Sequence, residues 1–230
     1  MTADFAYQLI SYVANQFQRG NISPTRFNLI INQGSISFLD YYLGQMQQYQ
    51  YGSPASRVQF GVNETARTRL APLIDKPIVL TPDATGFIPY PALFEQVDAM
   101  YDTSSNYNRI RFVPQHKLPA YKSDPIDPVA TNPIYVIESG GFRIYPNQTD
   151  DGIASPQIRL SFVHTPPTIV WAYTLDGNGR PVYNAGLSVG LWTYEVDCLE
   201  VVARALRFVG VNLQAGELTQ FSEMIIKEGQ

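Results

Sequence analysis

The apolar residues at the start of the chain recur every three or four positions, which is the period of an α-helix. Phe5, Leu9 and Val13 share one face of this pattern over residues 2–19. Arg19-Gly20-Asn21 then supplies turn chemistry that ends the pattern. We therefore predict an amphipathic first helix over 2–19.

A second helical pattern follows directly. Ser23 suits the N-cap position, and Pro24 suits the first helical position, where a missing amide N–H costs nothing. Gly34-Ser35 predicts a break in this helix, because glycine is a poor helix former. We expect a further helix over about 36–51.

Two more helices are predicted at the other end of the chain. Residues 195–209 place Val196, Leu199 and Val202 on one face, and Gly210 suits the left-handed position that ends many helices. A last helix is expected over about 214–228, and the two helices are expected to form a hairpin.

The segment between these helical regions has the pattern of β-structure. Prolines recur from Pro72 to Pro133 too densely for long helices. Gly140-Gly141 and Asp176-Gly177-Asn178-Gly179 are typical of hairpin turns. Short strands are predicted at 78–80, 109–113, 134–137, 142–145, 158–163 and 168–173.

One helix is predicted inside this β-rich segment. Leu93, Val97 and Met100 are spaced by four and three residues, which favours a helix over 90–101. The predicted helix begins at Tyr90-Pro91, and proline suits the first turn of a helix.

The predicted fold class is α+β, with N-terminal helices, a central and mostly antiparallel β region, and a C-terminal helical hairpin. The expected organisation is an N-terminal helical segment at 1–75, a β-rich region at 76–193 and the helical hairpin at 194–230. The helical parts are expected to pack together as one domain.

The composition is short of charge and rich in aromatic residues. Charged residues make up 16% of the chain, with a net charge of −4, and there are 15 Tyr and 12 Phe. Arginine outnumbers lysine twelve to four. Tyr, Phe and Arg are enriched at protein interfaces, where Lys and Glu are depleted. This composition favours a chain largely covered by other subunits, and an ordinary aromatic-rich β protein is the alternative.

The shortage of charge is greatest near the second helix, since Asp40 is the only charged residue between Arg26 and Arg57. Neutral amides and tyrosines replace the Glu and Lys pairs of a solvated helix and can be buried against a partner without an unpaired charge. A sticky Gln/Tyr segment without function is the alternative. We predict subunit-interface contacts by Tyr41, Tyr42, Gln45, Tyr49 and Tyr51.

The sequence contains no recognisable reaction centre. His116 and His164 have no metal-ligand spacing to another Cys, His or carboxylate, and Cys198 stands alone in an apolar stretch. No nucleophile elbow, phosphate-binding loop or zinc-protease motif occurs. We expect no catalytic residue, metal or cofactor, and no enzymatic activity.

Other partner classes are also excluded or weakened. No apolar run reaches the length of about 20 residues needed to span a bilayer, and the first residues lack a signal-peptide layout. The acidic balance argues against general nucleic-acid binding, which uses a basic patch. We therefore expect no membrane partner and no sequence-specific nucleic-acid partner.

A carbohydrate-binding or glycan-hydrolysing module is the alternative function. Exposed aromatic rings can stack on sugars, and paired carboxylates can cleave glycosidic bonds. The candidates would be Trp171, Trp192 and the loop carboxylates, although both tryptophans lie in strand-like runs that favour a place in the core. The loop carboxylates are Asp124, Asp127, Asp150 and Asp151.

Several short sequence strings occur in order along the chain. The first four are Ile22-Ser-Pro-Thr-Arg-Phe-Asn28, Phe38-Leu-Asp-Tyr-Tyr42, Arg69-Leu-Ala-Pro-Leu-Ile74 and Gly86-Phe-Ile-Pro-Tyr-Pro91. The last four are Thr165-Pro-Pro-Thr-Ile-Val-Trp171, Tyr194-Glu-Val-Asp197, Phe208-Val-Gly-Val-Asn-Leu213 and Leu218-Thr-Gln-Phe221. Together they resemble virion structural proteins of tailed phages that infect Bacteroidetes, the crAss-like phages and their relatives. The resemblance spans nearly the whole chain, from about residue 22 to residue 230.

The resemblance implies a non-enzymatic subunit of a homo-oligomeric ring in the phage neck or tail, at the head–tail connector. Such a ring would be stacked on the portal or on other virion ring proteins, and DNA would pass through it. The subunit would be made in the bacterial host cytoplasm and end in the virion. A negative net charge suits a channel that lets DNA pass without binding it, because a basic channel lining binds the phosphates.

Overall fold

The structure, a computed structural model, describes residues 1–16, 22–47, 64–103, 108–123 and 128–210. The chain forms two compact units. Unit 1 combines Met1–Pro72 with Pro166–Gln230, and unit 2 is the continuous segment Leu73–Thr165. Residues 166–193, which the sequence grouped with the β-rich region, thus belong to the helical unit. The predicted helix over 214–228 lies outside the described residues.

The described helices of unit 1 are α1 (Ala3–Gln16), α2 (Pro24–Gln47), α3 (64–70) and α6 (Cys198–Val209). The helix starts use hydroxyl caps, since Thr2 Oγ1 accepts a hydrogen bond from the Phe5 amide and Ser23 Oγ accepts one from the Arg26 amide, each at 3.3 Å. At the other end, Gly210 closes α6 with a φ of +86°.

The predicted break at Gly34-Ser35 is wrong, because α2 continues through both residues. Gly34 is buried where α2 crosses α6, and a Cβ added there would lie 2.8 Å from the Val201 carbonyl oxygen and from two atoms of Ala205. Ser35 is buried too and accepts a hydrogen bond from the Trp192 indole N–H at 2.7 Å. The small residues therefore serve helix packing.

Unit 1 also contains an antiparallel hairpin, in which β8 (Tyr173–Leu175) pairs with β9 (Pro181–Tyr183). The glycine-rich turn at 176–179 predicts this hairpin. The strand predicted at 168–173 is largely wrong. Only Val170 makes a β-bridge there, to Val189. The main-chain groups of Ile169 and Trp171 instead bind side chains of α2, so this segment is extended without joining a sheet.

Unit 2 is built from two small sheets. One has the order β1-β7-β3, all antiparallel, and the other has the order β2-β6-β5-β4, in which only β4 and β5 are parallel. The strands are β1 (Ile78–Leu80), β2 (Phe87–Pro89), β3 (Phe94–Asp102), β4 (Arg111–Phe112), β5 (Ile134–Glu138), β6 (Gly141–Tyr145) and β7 (Ile158–His164), with short helices α4 (Leu118–Tyr121) and α5 (Gln148–Asp151).

The helix predicted over 90–101 is wrong, because this segment contains β3, which pairs with β7. The register between the two strands shifts between Phe94 and Gln96 and again between Val97 and Ala99. Each irregularity changes the phase of a strand, so its inward positions acquire helix-like spacing. Met100, which is 2% exposed, reaches the core through this altered phase.

A hydrophobic core holds the sheets of unit 2 together. It includes Ile88, Met100, Phe142, Ile158 and Leu160, drawn from strands of both sheets. The α+β class predicted from the sequence is confirmed by the helices of unit 1 and the sheets of unit 2. Among the described residues, no helix has the length and apolar character that crossing a bilayer requires.

Candidate interaction surface

The outward side of α2 is the feature of unit 1 closest to the interface predicted from the sequence. Six of its exposed positions recur every three or four residues and line one stripe of the helix, with exposed Arg26 and Tyr41 beside them. Leu29 is 64% exposed and Ile36 is 44% exposed. We call the stripe the α2 outer face; it consists of Thr25, Leu29, Gln33, Ile36, Asp40 and Gly44.

The α2 outer face differs from the exposed side of an ordinary surface helix. Such a helix carries oppositely charged pairs one turn apart. Here the stripe has one charge, Asp40, and the helix has one more, Arg26. Two large aliphatic side chains are exposed instead, and water contact with them is unfavourable.

The opposite side of α2 packs within unit 1. Phe27, Ile31 and Phe38 are fully buried. Phe38 lies against α6, with the Arg204 guanidinium 6.0 Å from its ring centroid, and the Phe38 and Trp192 rings pack in a T-shaped arrangement with their centroids 5.8 Å apart. The two sides of α2 therefore differ, since one is buried within unit 1 and the outer face is exposed.

Tyr42, predicted as an interface residue, is used inside the chain. It is 6% exposed, and its hydroxyl donates a hydrogen bond to Glu200 Oε2 at 2.9 Å. Burial, followed by this hydrogen bond to a carboxylate, raises the pKa of Tyr42 well above its ordinary value. A partner has little access to this side chain, so we assign Tyr42 to the contact between α2 and α6.

The other predicted interface residues differ in accessibility. Tyr41 is 48% exposed, and the Arg204 guanidinium lies 4.5 Å from its ring centroid, which holds the ring in place. Gln45 is half-buried. Tyr49 and Tyr51 lie outside the described residues. Tyr41 is thus the exposed aromatic candidate, next to the α2 outer face.

A charge network fixes the start of α6 beside these tyrosines. The Arg69 guanidinium pairs with Asp197, while Glu200 accepts hydrogen bonds from Arg204 Nη2 at 2.6 Å and Nε at 3.2 Å. Burial raises the pKa of Asp197, although Arg69 acts in the opposite direction. Each acid has an arginine partner, which is the arrangement of a structural ion-pair network.

A second exposed feature is the hairpin of β8 and β9. We call residues 173–183 the β8–β9 arm. Leu175 is 66% exposed and Val182 is 50% exposed, and the residues between Leu175 and Val182 are all exposed. The arm therefore presents apolar side chains outside the core of unit 1.

The candidates for sugar stacking are not well placed for it. Trp171 is 3% exposed, stacks on Tyr7 with ring centroids 4.5 Å apart, and donates its indole N–H to Asp4 Oδ1 at 3.0 Å. Trp192 is half-buried, with its indole N–H bound by Ser35. Both tryptophan rings contact residues of the core, in agreement with the alternative that they pack there.

The loop carboxylates of unit 2 have structural roles where they are described. Asp150 accepts a hydrogen bond from the Asn147 side-chain amide at 2.9 Å, and Asp151 pairs with Lys122 Nζ at 3.1 Å. Asp124 and Asp127 lie outside the described residues. The two described carboxylates are therefore bound to partners within unit 2.

The two histidines and the cysteine lie in three different settings. His164 Nε2 lies 2.9 Å from Asp75 Oδ2, and its ring stacks on Phe162. His116 lies exposed in a short 3₁₀ turn, and Cys198 is buried at the start of α6. In the described part of the chain, no three His, Cys, Asp or Glu residues come together as metal ligands would.

Two features of this surface could not be found by sequence reasoning. Leu29 stands in the same apolar run as Ile30 and Ile31, so its outward direction becomes clear only when the neighbours of α2 are known. The β8–β9 arm was predicted as a hairpin, but its exposure was not.

No protein-family profile matches this chain, and no curated protein is significantly similar to it.

Proposed function

We propose that this chain is a non-enzymatic structural subunit of a tailed-phage virion, forming an oligomeric ring in the head–tail connector, neck or tail through which DNA passes. The observation that carries the proposal is the α2 outer face, a long exposed helix stripe with Leu29, Ile36 and a single charge. The resemblance of the ordered sequence strings to crAss-like phage virion proteins supports placing the assembly in a phage virion.

The energetics of the α2 outer face support an assembled state. Fully burying a Leu or Ile side chain contributes about 1.5–3 kcal/mol relative to leaving it in water. Because the stripe has one carboxylate, Asp40, covering it would remove few charges from water. Both properties suit a contact between subunits.

Ring closure follows when two different surfaces of neighbouring copies meet and the rotation between copies closes. The ring would stack on the portal or on other ring proteins of the virion. The net charge of −4 suits an assembly that lets DNA slide through, because a basic lining would bind the phosphates.

The test is the assembly state of a variant in which the stripe is charged. Leu29→Asp with Ile36→Asp places two carboxylates on exposed positions, so the subunit should stay folded by circular dichroism and lose its ring. The matched control is Val79→Asp with Ile137→Asp, which charges two comparably exposed apolar positions of unit 2.

Mass photometry and negative-stain electron microscopy read out the assembly, with and without the portal protein. We expect rings for the wild type and the control, and monomers for the stripe variant. A wild-type chain that stays monomeric in both conditions contradicts the proposed function. Rings formed by the stripe variant contradict the role given to the α2 outer face.

A further inference from the structure

The β8–β9 arm is held rigid at both ends. At its base, the Tyr173 and Tyr183 rings lie 5.8 Å and 5.7 Å from the ring of buried Trp171. At its tip, Asp176 Oδ1 accepts hydrogen bonds from the amide N–H groups of Asn178 at 2.9 Å and Arg180 at 2.7 Å. The turn geometry is therefore fixed without a partner.

Between these anchors the arm has apolar side chains on both faces. Leu175 pairs across the hairpin with Pro181, and Thr174 pairs with Val182. Since neighbouring residues of a strand point to opposite faces, Leu175 and Val182 lie on opposite sides of the ribbon. An isolated two-stranded hairpin is marginally stable in water, so a ribbon with apolar residues exposed on both sides suits a site where a partner covers it.

The charges of the arm restrict the kind of partner. The tip carries one acid, Asp176, and one base, Arg180. A nucleic acid requires an excess of basic residues, and an excess of one sign would similarly select an oppositely charged protein. A balanced, largely apolar arm fits a surface that is also apolar and nearly free of charge.

The same chain provides such a surface. The α2 outer face presents Leu29 and Ile36, and its helix carries one base, Arg26, and one acid, Asp40. Both surfaces belong to unit 1, and they are different patches. A contact between them in two copies is therefore head-to-tail, and contacts of this kind generate a ring when the rotation between copies closes.

We propose that the β8–β9 arm of one copy docks on the α2 outer face of the next copy, an inference that rests on the proposed ring function and identifies its subunit contact. The face of the arm that carries Leu175 contacts the helix, which supplies Leu29 and Ile36. The anchors at Trp171 and Asp176 fix the arm before docking, which lowers the entropy lost on assembly.

Cysteine cross-linking tests this contact directly. Cys198 is fully buried, so the native chain offers no accessible thiol among the described residues and should give no background. Leu175→Cys and Ile36→Cys are made as separate full-length proteins, each with one exposed thiol. They are assembled alone and mixed, treated with a short bismaleimide, and separated on a denaturing gel.

We expect a covalent dimer in the mixture of the two variants and only monomer in either variant alone. The matched control replaces Leu175→Cys by Leu187→Cys, since Leu187 is 71% exposed in unit 1 and lies outside both surfaces. The control mixture should yield at least tenfold less dimer.

The remaining outcomes overturn the inference. Dimers of Leu175→Cys alone would indicate an arm-to-arm contact, and dimers of Ile36→Cys alone would indicate a contact between two α2 faces. Rings that form without a cross-link in the mixture reject the docking contact and leave the proposed function in place. Absence of rings from the wild type rejects the proposed function itself.

Discussion

Gly34 of α2 lies so close to Ala205 of α6 that a Cβ added to the glycine would be 2.8 Å from both the Cβ and the amide nitrogen of the alanine. The same Cβ would lie 2.8 Å from the Val201 carbonyl oxygen. Two of these three atoms belong to the backbone of α6, so rotating a side chain cannot relieve the clash. The close approach of the two helices therefore depends on having no side chain at position 34.

Gly34→Ala should destabilise the protein. Alanine is the better helix former by about 1 kcal/mol, but overpacking a close contact costs typically about 1–3 kcal/mol, and here the contact is with backbone. We expect a net loss of about 1–2 kcal/mol in the free energy of unfolding, measured by urea denaturation.

Gly44→Ala is the matched control on the same helix. Gly44 is exposed, and a Cβ added there would meet no atom within 4 Å. Only the helix propensity then changes, so this variant should be more stable by roughly 0.5–1 kcal/mol. Equal effects of the two substitutions would contradict the close contact of α2 with α6.

Asn32→Ala should also be destabilising, because two asparagines of α2 act as hydrogen-bonding partners for an extended segment. The Asn32 side chain accepts from the Ile169 amide at 2.9 Å and donates to the Ile169 carbonyl at 2.8 Å, and Asn28 makes the same pair of bonds with Trp171. Ile169 is fully buried, so its main-chain groups would lose their partner. Leaving a buried group unsatisfied costs about 1–3 kcal/mol.

Thermal or urea unfolding measures this loss, and Asn15→Ala is the control. Asn15 is an exposed residue of α1, and its substitution should change stability by no more than about 0.5 kcal/mol. If Asn32→Ala is as stable as the control, the Asn32 side chain does not stabilise the segment at 169–171.

The stability of the wild type should fall relative to Asp197→Asn as the pH rises. Burial raises the pKa of Asp197, so in the window above its ordinary value, about 3.9, the folded state binds more protons than the unfolded state. Stability then decreases with rising pH. Asparagine keeps the shape of the side chain and lacks this titration.

Urea unfolding of both proteins from about pH 3.5 to about pH 6.5 measures the difference, with the window starting just below the ordinary aspartate pKa. We expect the wild type to lose stability relative to the variant across this range. Parallel curves, or a relative gain by the wild type, would show that Arg69 outweighs burial at this carboxyl group.

Several elements could be predicted from the sequence because their signals are local. The hairpin turns at Gly140-Gly141 and at 176–179 depend on glycine conformations a few residues long, and both form. The start of α2 at Ser23-Pro24 is equally local. The fold class followed from the order of such elements.

The errors have a different origin, because they depend on contacts between distant parts of the chain. Gly34 resembles a helix break until Ala205, far along the chain, occupies the space beside it. The hydrogen bond of Tyr42 also could not be read from local sequence, because its partner Glu200 is 158 residues away. The bulged strand β3 acquired helix-like spacing from its pairing with β7.

Unit 1 is built from two separate segments of the chain, and this has a consequence for synthesis on the ribosome. Its helix α2 packs on α6, yet the whole of unit 2 lies between them in the chain. At about 5–20 residues per second, the 158 residues between Tyr42 and Glu200 take roughly 8–30 seconds to translate. Unit 2, which is continuous, can fold during that time. Until then the part of α2 that packs on α6 stays uncovered, so we expect it to be a binding site for a chaperone during synthesis.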